Sequence, residues 1–182
     1  LMDFQTSPTA MDGLRISRRK PEPARRWQSY VMYSPEIVWF ADHSDLNYIA
    51  HTLEGLGQYN LDMGLSLELL DQFNTDNEIN NNASGRIDEY YDNMLNFTAT
   101  YRPSEKFKFR FDYANYWLEF DDRVNEFRDR TDNSFAGYLF FQVMPKTSVF
   151  GQYDYADVSY EENSAWDSEE HRYYGGVDWE VT

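Results

Sequence analysis

The stretch Phe107–Phe120, FKFRFDYANYWLEF, decides the fold. Phe107, Phe109, Phe111, Tyr113 and Trp117 occupy every second position and fall on one face of an extended chain. Lys108, Arg110, Asp112, Ala114 and Tyr116 fall on the other. A period of two with one apolar and one polar face is a β-strand that meets different media on its two sides. The same alternation recurs outward in both directions. Leu95, Phe97, Ala99 and Tyr101 alternate with Asn96, Thr98, Thr100 and Arg102. Phe135, Leu139, Phe141 and Val143 alternate with Ala136, Tyr138, Phe140 and Gln142. Leu61 to Leu69 repeats it with Asp62, Gly64, Ser66 and Glu68 between, and Arg172 to Val181 repeats it at the end.

The pattern predicts eight strands, at roughly 28–41, 45–57, 61–72, 87–102, 106–120, 133–144, 147–159 and 170–181. Pro35 interrupts the first. The connections differ in length. Gln58-Tyr59-Asn60, Pro103-Ser104-Glu105 and Pro145-Lys146-Thr147 read as tight turns. Polar loops at about 73–86, 121–132 and 160–169 lie between them, and the link Asp42 to Asp45 is a short exception. Sorting of short and long links onto opposite ends is the habit of outer-membrane barrels, with tight turns in the periplasm. Strand length agrees: a tilted strand needs about 9–11 residues to cross a bilayer, whereas soluble strands average about 5–6.

The predicted fold is therefore all-β, an antiparallel up-and-down transmembrane β-barrel with about eight strands in this chain, or an arc of a larger one. Residues 28–182 supply the strands and both ends of the chain face the periplasm. Residues 1–27 read as a separate periplasmic arm, because Arg15–Arg26 holds six of the 16 basic residues together with Pro21 and Pro23. Tyr101, Phe107, Phe109, Phe111, Tyr113, Trp117, Phe141 and Trp179 are candidates for the lipid face, and Trp117, Phe120 and Tyr155 for the girdle at the loop side. Asp62, Glu68, Lys108, Arg110, Asp112, Gln152, Asp154, Arg172, Asp178 and Glu180 are candidates for the lumen, since a charge facing lipid costs about 2–4 kcal/mol near the midplane.

Composition fits this picture. Aromatic residues make up 18% of the 182, beside 26% charged residues. No apolar run approaches the length of a transmembrane helix. With 32 acidic and 16 basic residues the net charge is -16, which repels nucleic acid. There is no cysteine, and the histidines His43, His51 and His171 lack metal-ligand spacing. No phosphate loop or nucleophile elbow is present, so no catalytic residue, metal or cofactor is expected.

The segment from Tyr101 to Thr182 carries YRPSEKFKFRFDY, then DNSFAGYLFFQVMPKTSVFGQYDY, then HRYYGGVDWEVT. It resembles the β-barrel porin type 2 family, outer-membrane proteins encoded near exopolysaccharide and capsule export systems. The matching features are the Pro-Lys-Thr turn, the Gly-x-Tyr-x-Tyr strand after it and the His-Arg strand ending in Gly-Gly-Val-x-Trp. These are structural motifs, and they transfer no catalytic or ligand residues. Members of that family are longer, and barrels commonly end on an aromatic residue, whereas this chain ends Trp179-Glu180-Val181-Thr182; both differences point to a chain that continues.

Two roles follow as expectations. One is a non-enzymatic, passive porin-like conduit or a component of exopolysaccharide export. The other is a small closed barrel that anchors or adheres through its acidic outer loops, of which 160–170 holds Glu161, Glu162, Asp167, Glu169 and Glu170. Expected partners are outer-membrane lipid and lipopolysaccharide, with polysaccharide or export-machinery proteins beside them. A soluble β-sandwich that binds carbohydrate is the third reading.

Overall fold

A computed structural model describes residues 26–79 and 87–179. Eight strands follow one another: β1 (Trp27–Val38), β2 (Tyr48–Asn60), β3 (Leu65–Ile79), β4 (Ile87–Tyr101), β5 (Phe107–Phe120), β6 (Arg130–Met144), β7 (Thr147–Tyr160) and β8 (Ser168–Trp179). Each pairs antiparallel with the next, giving one up-and-down sheet in the order β1 to β8. Strands of 12 to 15 residues are well above the soluble average. The sheet is open, since no pairing joins β1 to β8.

Boundaries moved where side-chain pattern and turn chemistry compete. The expected turn at Gln58–Asn60 lies within β2, and the chain reverses at 61–64 instead. Gly64 explains the shift. Its φ of 75° suits glycine, and a Cβ there would sit 2.5 Å from the Arg102 carbonyl oxygen. Asp62, expected on the polar face of a strand, is consequently an exposed turn residue, and it pairs with Arg26. β3 runs on to Ile79, so the first half of the expected loop at 73–86 is strand, and its second half lies outside the described residues. The short first link is also corrected. Residues 39–47 form a long loop, so the described links at that end, 39–47, 121–129 and 161–167, are all longer than the turns at 61–64, 102–106 and 145–146.

Three loops share one construction. Short 3-10 turns at Ser44–Leu46, Glu126–Arg128 and Ser164–Trp166 are each followed by Asn or Asp. That side chain accepts a hydrogen bond from the backbone at the end of the preceding strand. Asn47 Oδ1 is 2.7 Å from Phe40 N, Asp129 Oδ1 is 2.8 Å from Phe120 N, and Asp167 Oδ1 is 2.8 Å from Tyr160 N. The acceptors satisfy donors that would otherwise end the ladder unpaired. The first and last hairpins match further. Tyr33, Ser44, His51 and Gly55 recur 120 positions later as Tyr153, Ser164, His171 and Gly175. The Tyr33 hydroxyl lies 2.8 Å from His51 Nδ1, and the Tyr153 hydroxyl 2.9 Å from His171 Nδ1.

The two faces differ in crowding. Even-numbered strand residues share one face, as the row Gln28, Gln58, Glu68, Thr98, Asp112, Ala136, Asp154 and Arg172 shows. Asp88, Phe120 and Ala50, all on that face, are 2%, 4% and 7% exposed. On the odd face Phe107, Phe109 and Phe111 remain more than 40% exposed. No second layer covers either face among the described residues, so there is no core in the globular sense.

Candidate functional site: the two faces of the sheet

The even face holds a bonded polar network. Asp112 Oδ1 accepts from Thr98 Oγ1 and from Arg110 Nε, each at 2.8 Å. Gln152 donates to both oxygens of Asp154 at 2.8 and 2.9 Å. Arg172 Nε donates to Glu170 at 2.6 Å, and Asn74 donates to Asp92 at 2.8 Å. Arg130 reaches Asp132 at 3.5 Å and donates to the Tyr160 hydroxyl at 3.3 Å, while its Nε and Asp132 Oδ1 are buried without a protein partner. Glu68, Lys108, Arg110, Asp112, Gln152, Asp154, Arg172 and Asp178 all lie on this face by register, and the expected Glu180 lies outside the described residues.

Charge is sorted along the strands. Above the row of Gln28 and Arg172, toward the loops, the even face carries Glu36, Glu54, Asp76, Glu78, Asp88, Asp92, Asp132 and Glu170, with Arg130 as its strand cation. Below the row, toward the tight turns, it carries Lys108 and Arg110 against Asp178. The turns there add Arg102, Lys106 and Lys146 against Asp62 and Glu105. The β5–β6 loop bends over the loop end. Arg128 bonds Glu78 at 2.9 Å and covers the Phe120 ring at 4.2 Å. Asp129 is buried beneath it, and burial raises its carboxyl above the usual Asp range against the lowering pull of the Phe120 N–H.

The odd face is aromatic and apolar. Tyr113 packs on Phe135 at 4.9 Å, Phe107 on Phe141 at 5.0 Å and Tyr153 on Tyr173 at 5.1 Å. Tyr101, Phe107, Phe109, Phe111, Tyr113, Trp117, Phe141 and Trp179 all lie here by register. Asp71, Leu95, Asn115, Asn133, Asp157 and Glu169 form one cross-strand row that limits the apolar band toward the loops. Below that row the band in β5 runs from Phe107 to Tyr113, roughly 20 Å of strand. Trp117 sits above the polar row, beside Asn93 and Thr131. Phe120, expected beside Trp117 and Tyr155, lies on the opposite face: its even position turns it to the crowded side, under Arg128.

Alternation places Tyr138, Phe140 and Tyr174 on the second face, but polarity names neither them nor Phe150 as candidates; all four are aromatic residues set among the even-face polar groups. Phe140 lies 5.9 Å from Phe150 and 6.2 Å from Tyr138 between ring centroids. Gly176 is the signal that betrays them. A Cβ at Gly176 would fall 2.7 Å from the Phe150 ring, so this position stays bare to admit the ring. Among the described residues, no group of three His, Cys, Asp or Glu side chains is placed to hold a metal, and no helix is long and apolar enough to cross a membrane. Comparison with known proteins finds no matching family model, curated protein or solved structure.

Proposed function

We propose that the sheet is the wall of an outer-membrane β-barrel of the β-barrel porin type 2 kind, acting without catalysis as a porin-like conduit for polar solutes or as a component of exopolysaccharide export. The observation that carries this reading is the exposed aromatic band on the odd face of a single-layered sheet. Water penalises a contiguous exposed apolar surface, which soluble proteins keep small. Lipid would welcome it.

Three further features support the proposal. The band is bordered by a polar row, as at an interface with headgroups. The strands are staggered: Gln28 is the second residue of β1, whereas its row-mate Arg172 stands seven residues before the end of β8. Six residues of drift over seven pairings amount to a tilt of about 30°, near the roughly 35–45° of closed barrels. Finally, the edges β1 and β8 expose backbone groups that lipid cannot satisfy, so the barrel is completed by further strands or by closure. In this orientation the tight turns and the start of β1 face the periplasm.

The test is reconstitution of the protein, in its full-length form, into planar bilayers. Steady ohmic conductance that disappears in boiled samples is the expected result. A folded, detergent-bound protein that inserts and never conducts would remove the conduit reading.

A further inference from the structure

The tight-turn end of the even face holds a cleft of about 880 Å³, a size that suits a small ligand. Its cations are Arg102, Lys106, Lys108 and Lys146, and its acids are Glu105 and Asp178. This is the reverse of the chain as a whole, where 32 acidic residues face 16 basic ones. It is also the reverse of the loop end of the same face. The side chains of Arg102, Lys106 and Lys108 form no ion pair among the described residues. Lys108 is half-buried, and its ammonium rests 4.2 Å above the Phe140 ring. The nearest even-face carboxylate in β5, Asp112, is already engaged by Arg110.

Holding like charges together around a hollow is unfavourable unless a counter-charge joins them. The ring of Phe140 gives the hollow an apolar wall beside the cations. We propose that this cleft binds the carboxylate or phosphate group of an anionic, sugar-sized solute. Arg102, Lys106 and Lys108 would meet the anion, and Phe140 would meet the carbon face of the ring attached to it. Gln142 and Ser148, also in the wall, offer hydrogen bonds to hydroxyls. The conduit reading supplies only the route by which the solute arrives, and binding itself stands on the cleft.

The experiment is titration calorimetry on the full chain refolded in detergent micelles, with trigalacturonate, maltotriose and inorganic phosphate as probes. Trigalacturonate should bind at least tenfold more tightly than neutral maltotriose, and more weakly as salt rises. Phosphate that competes with it would show the anion alone to be recognised, and phosphate that does not would show that the sugar ring contributes. The exposed pair Arg102→Gln and Lys106→Gln, with no effect expected on folding, should weaken trigalacturonate at least tenfold. Lys108→Gln should do the same, with recovery in Lys108→Arg. Equal binding of charged and neutral trisaccharides, or unchanged binding in the variants, would overturn the proposal. Binding without bilayer conductance would sink the conduit and leave this site standing. Conductance without anion preference would do the opposite.

Discussion

Ala136 and Gly137 are neighbours in the chain and live in opposite surroundings. Ala136 stands on the even face between Asp112 and Asp154 of the adjoining strands. Gly137 stands on the odd face between Phe111 and Tyr153. A one-residue step therefore separates a position between two carboxylates from one between two aromatic rings. The contrast teaches how a sheet with no second layer among the described residues divides its side chains. Its apolar surface is arranged as a band along one face, and its polar groups satisfy one another across the other.

The largest test of that contrast is the same substitution at both positions. On the proposed barrel reading Gly137→Lys should cost about 2–4 kcal/mol, because the ammonium would face lipid. Ala136→Lys should be neutral or stabilising, since it enters between two aspartates. Urea unfolding from lipid vesicles measures both. Equal costs would mean that the faces do not meet different media.

A smaller test concerns the loop end. Asp129→Ala removes the acceptor of the Phe120 N–H and should cost about 1–2 kcal/mol at neutral pH. Asp129→Asn keeps the acceptor, as Asn47 does for Phe40 in the first loop. The pH dependence separates the bond from the charge. The Asp129 carboxyl titrates above its usual range when folded, so the folded state keeps a proton that the unfolded chain has lost. Stability from this group therefore falls as pH rises from the ordinary Asp value through the folded one. The difference between wild type and Asp129→Asn, followed from about pH 3 to 6 in chemical unfolding, should show that slope. A difference curve that stays flat would contradict the burial argument.

The adjacent glycines sharpen the comparison further. Gly176→Ala pushes a Cβ to 2.7 Å from the Phe150 ring on the crowded face and should cost about 1 kcal/mol as the ring moves. Gly175→Ala, whose nearest atom is 3.7 Å away on the open face, should stay within about 0.5 kcal/mol. The smallest effect is expected at Arg123. It is exposed and its pairing with Glu126 is loose at 4.0 Å, so Arg123→Gln should change stability by less than about 0.5 kcal/mol in the same unfolding assay.

Much of the fold was legible because alternation survives in β4 to β8. The period of two that separates Phe109 from Arg110 needs no knowledge of partners. The error at 61–64 shows the limit. Leu61, Met63 and Leu65 continue the alternation, so the apolar count favours a strand, and only the left-handed requirement at Gly64 places the turn. The first loop reads as short in the sequence because Ser44–Leu46 and Asn47 make a compact turn that leaves no alternating or Gly-rich signal. The even-face candidates were found by polarity alone. Tyr138 and Phe140 fall on that face by alternation, yet polarity does not pick them or Phe150 out until the register sets Phe140 beside Phe150 and Lys108. The cationic cleft was hidden for a different reason. Arg102, Lys106, Lys108 and Lys146 are brought to one end by three strands and two turns, a grouping that linear spacing does not reveal.

The measurement closest to the central claim is spin-label accessibility along β5. The chain contains no cysteine, so single cysteines can be placed at each position from 107 to 113 with no native cysteine to remove first. In lipid vesicles, labels at 107, 109, 111 and 113 should relax with oxygen, which concentrates in the membrane. Labels at 108, 110 and 112 should relax with a water-soluble nickel complex. An alternation of period two with those opposite phases is the predicted result. Odd positions that respond to the nickel complex, or that are shielded from both relaxants as in a dry sandwich core, would contradict it.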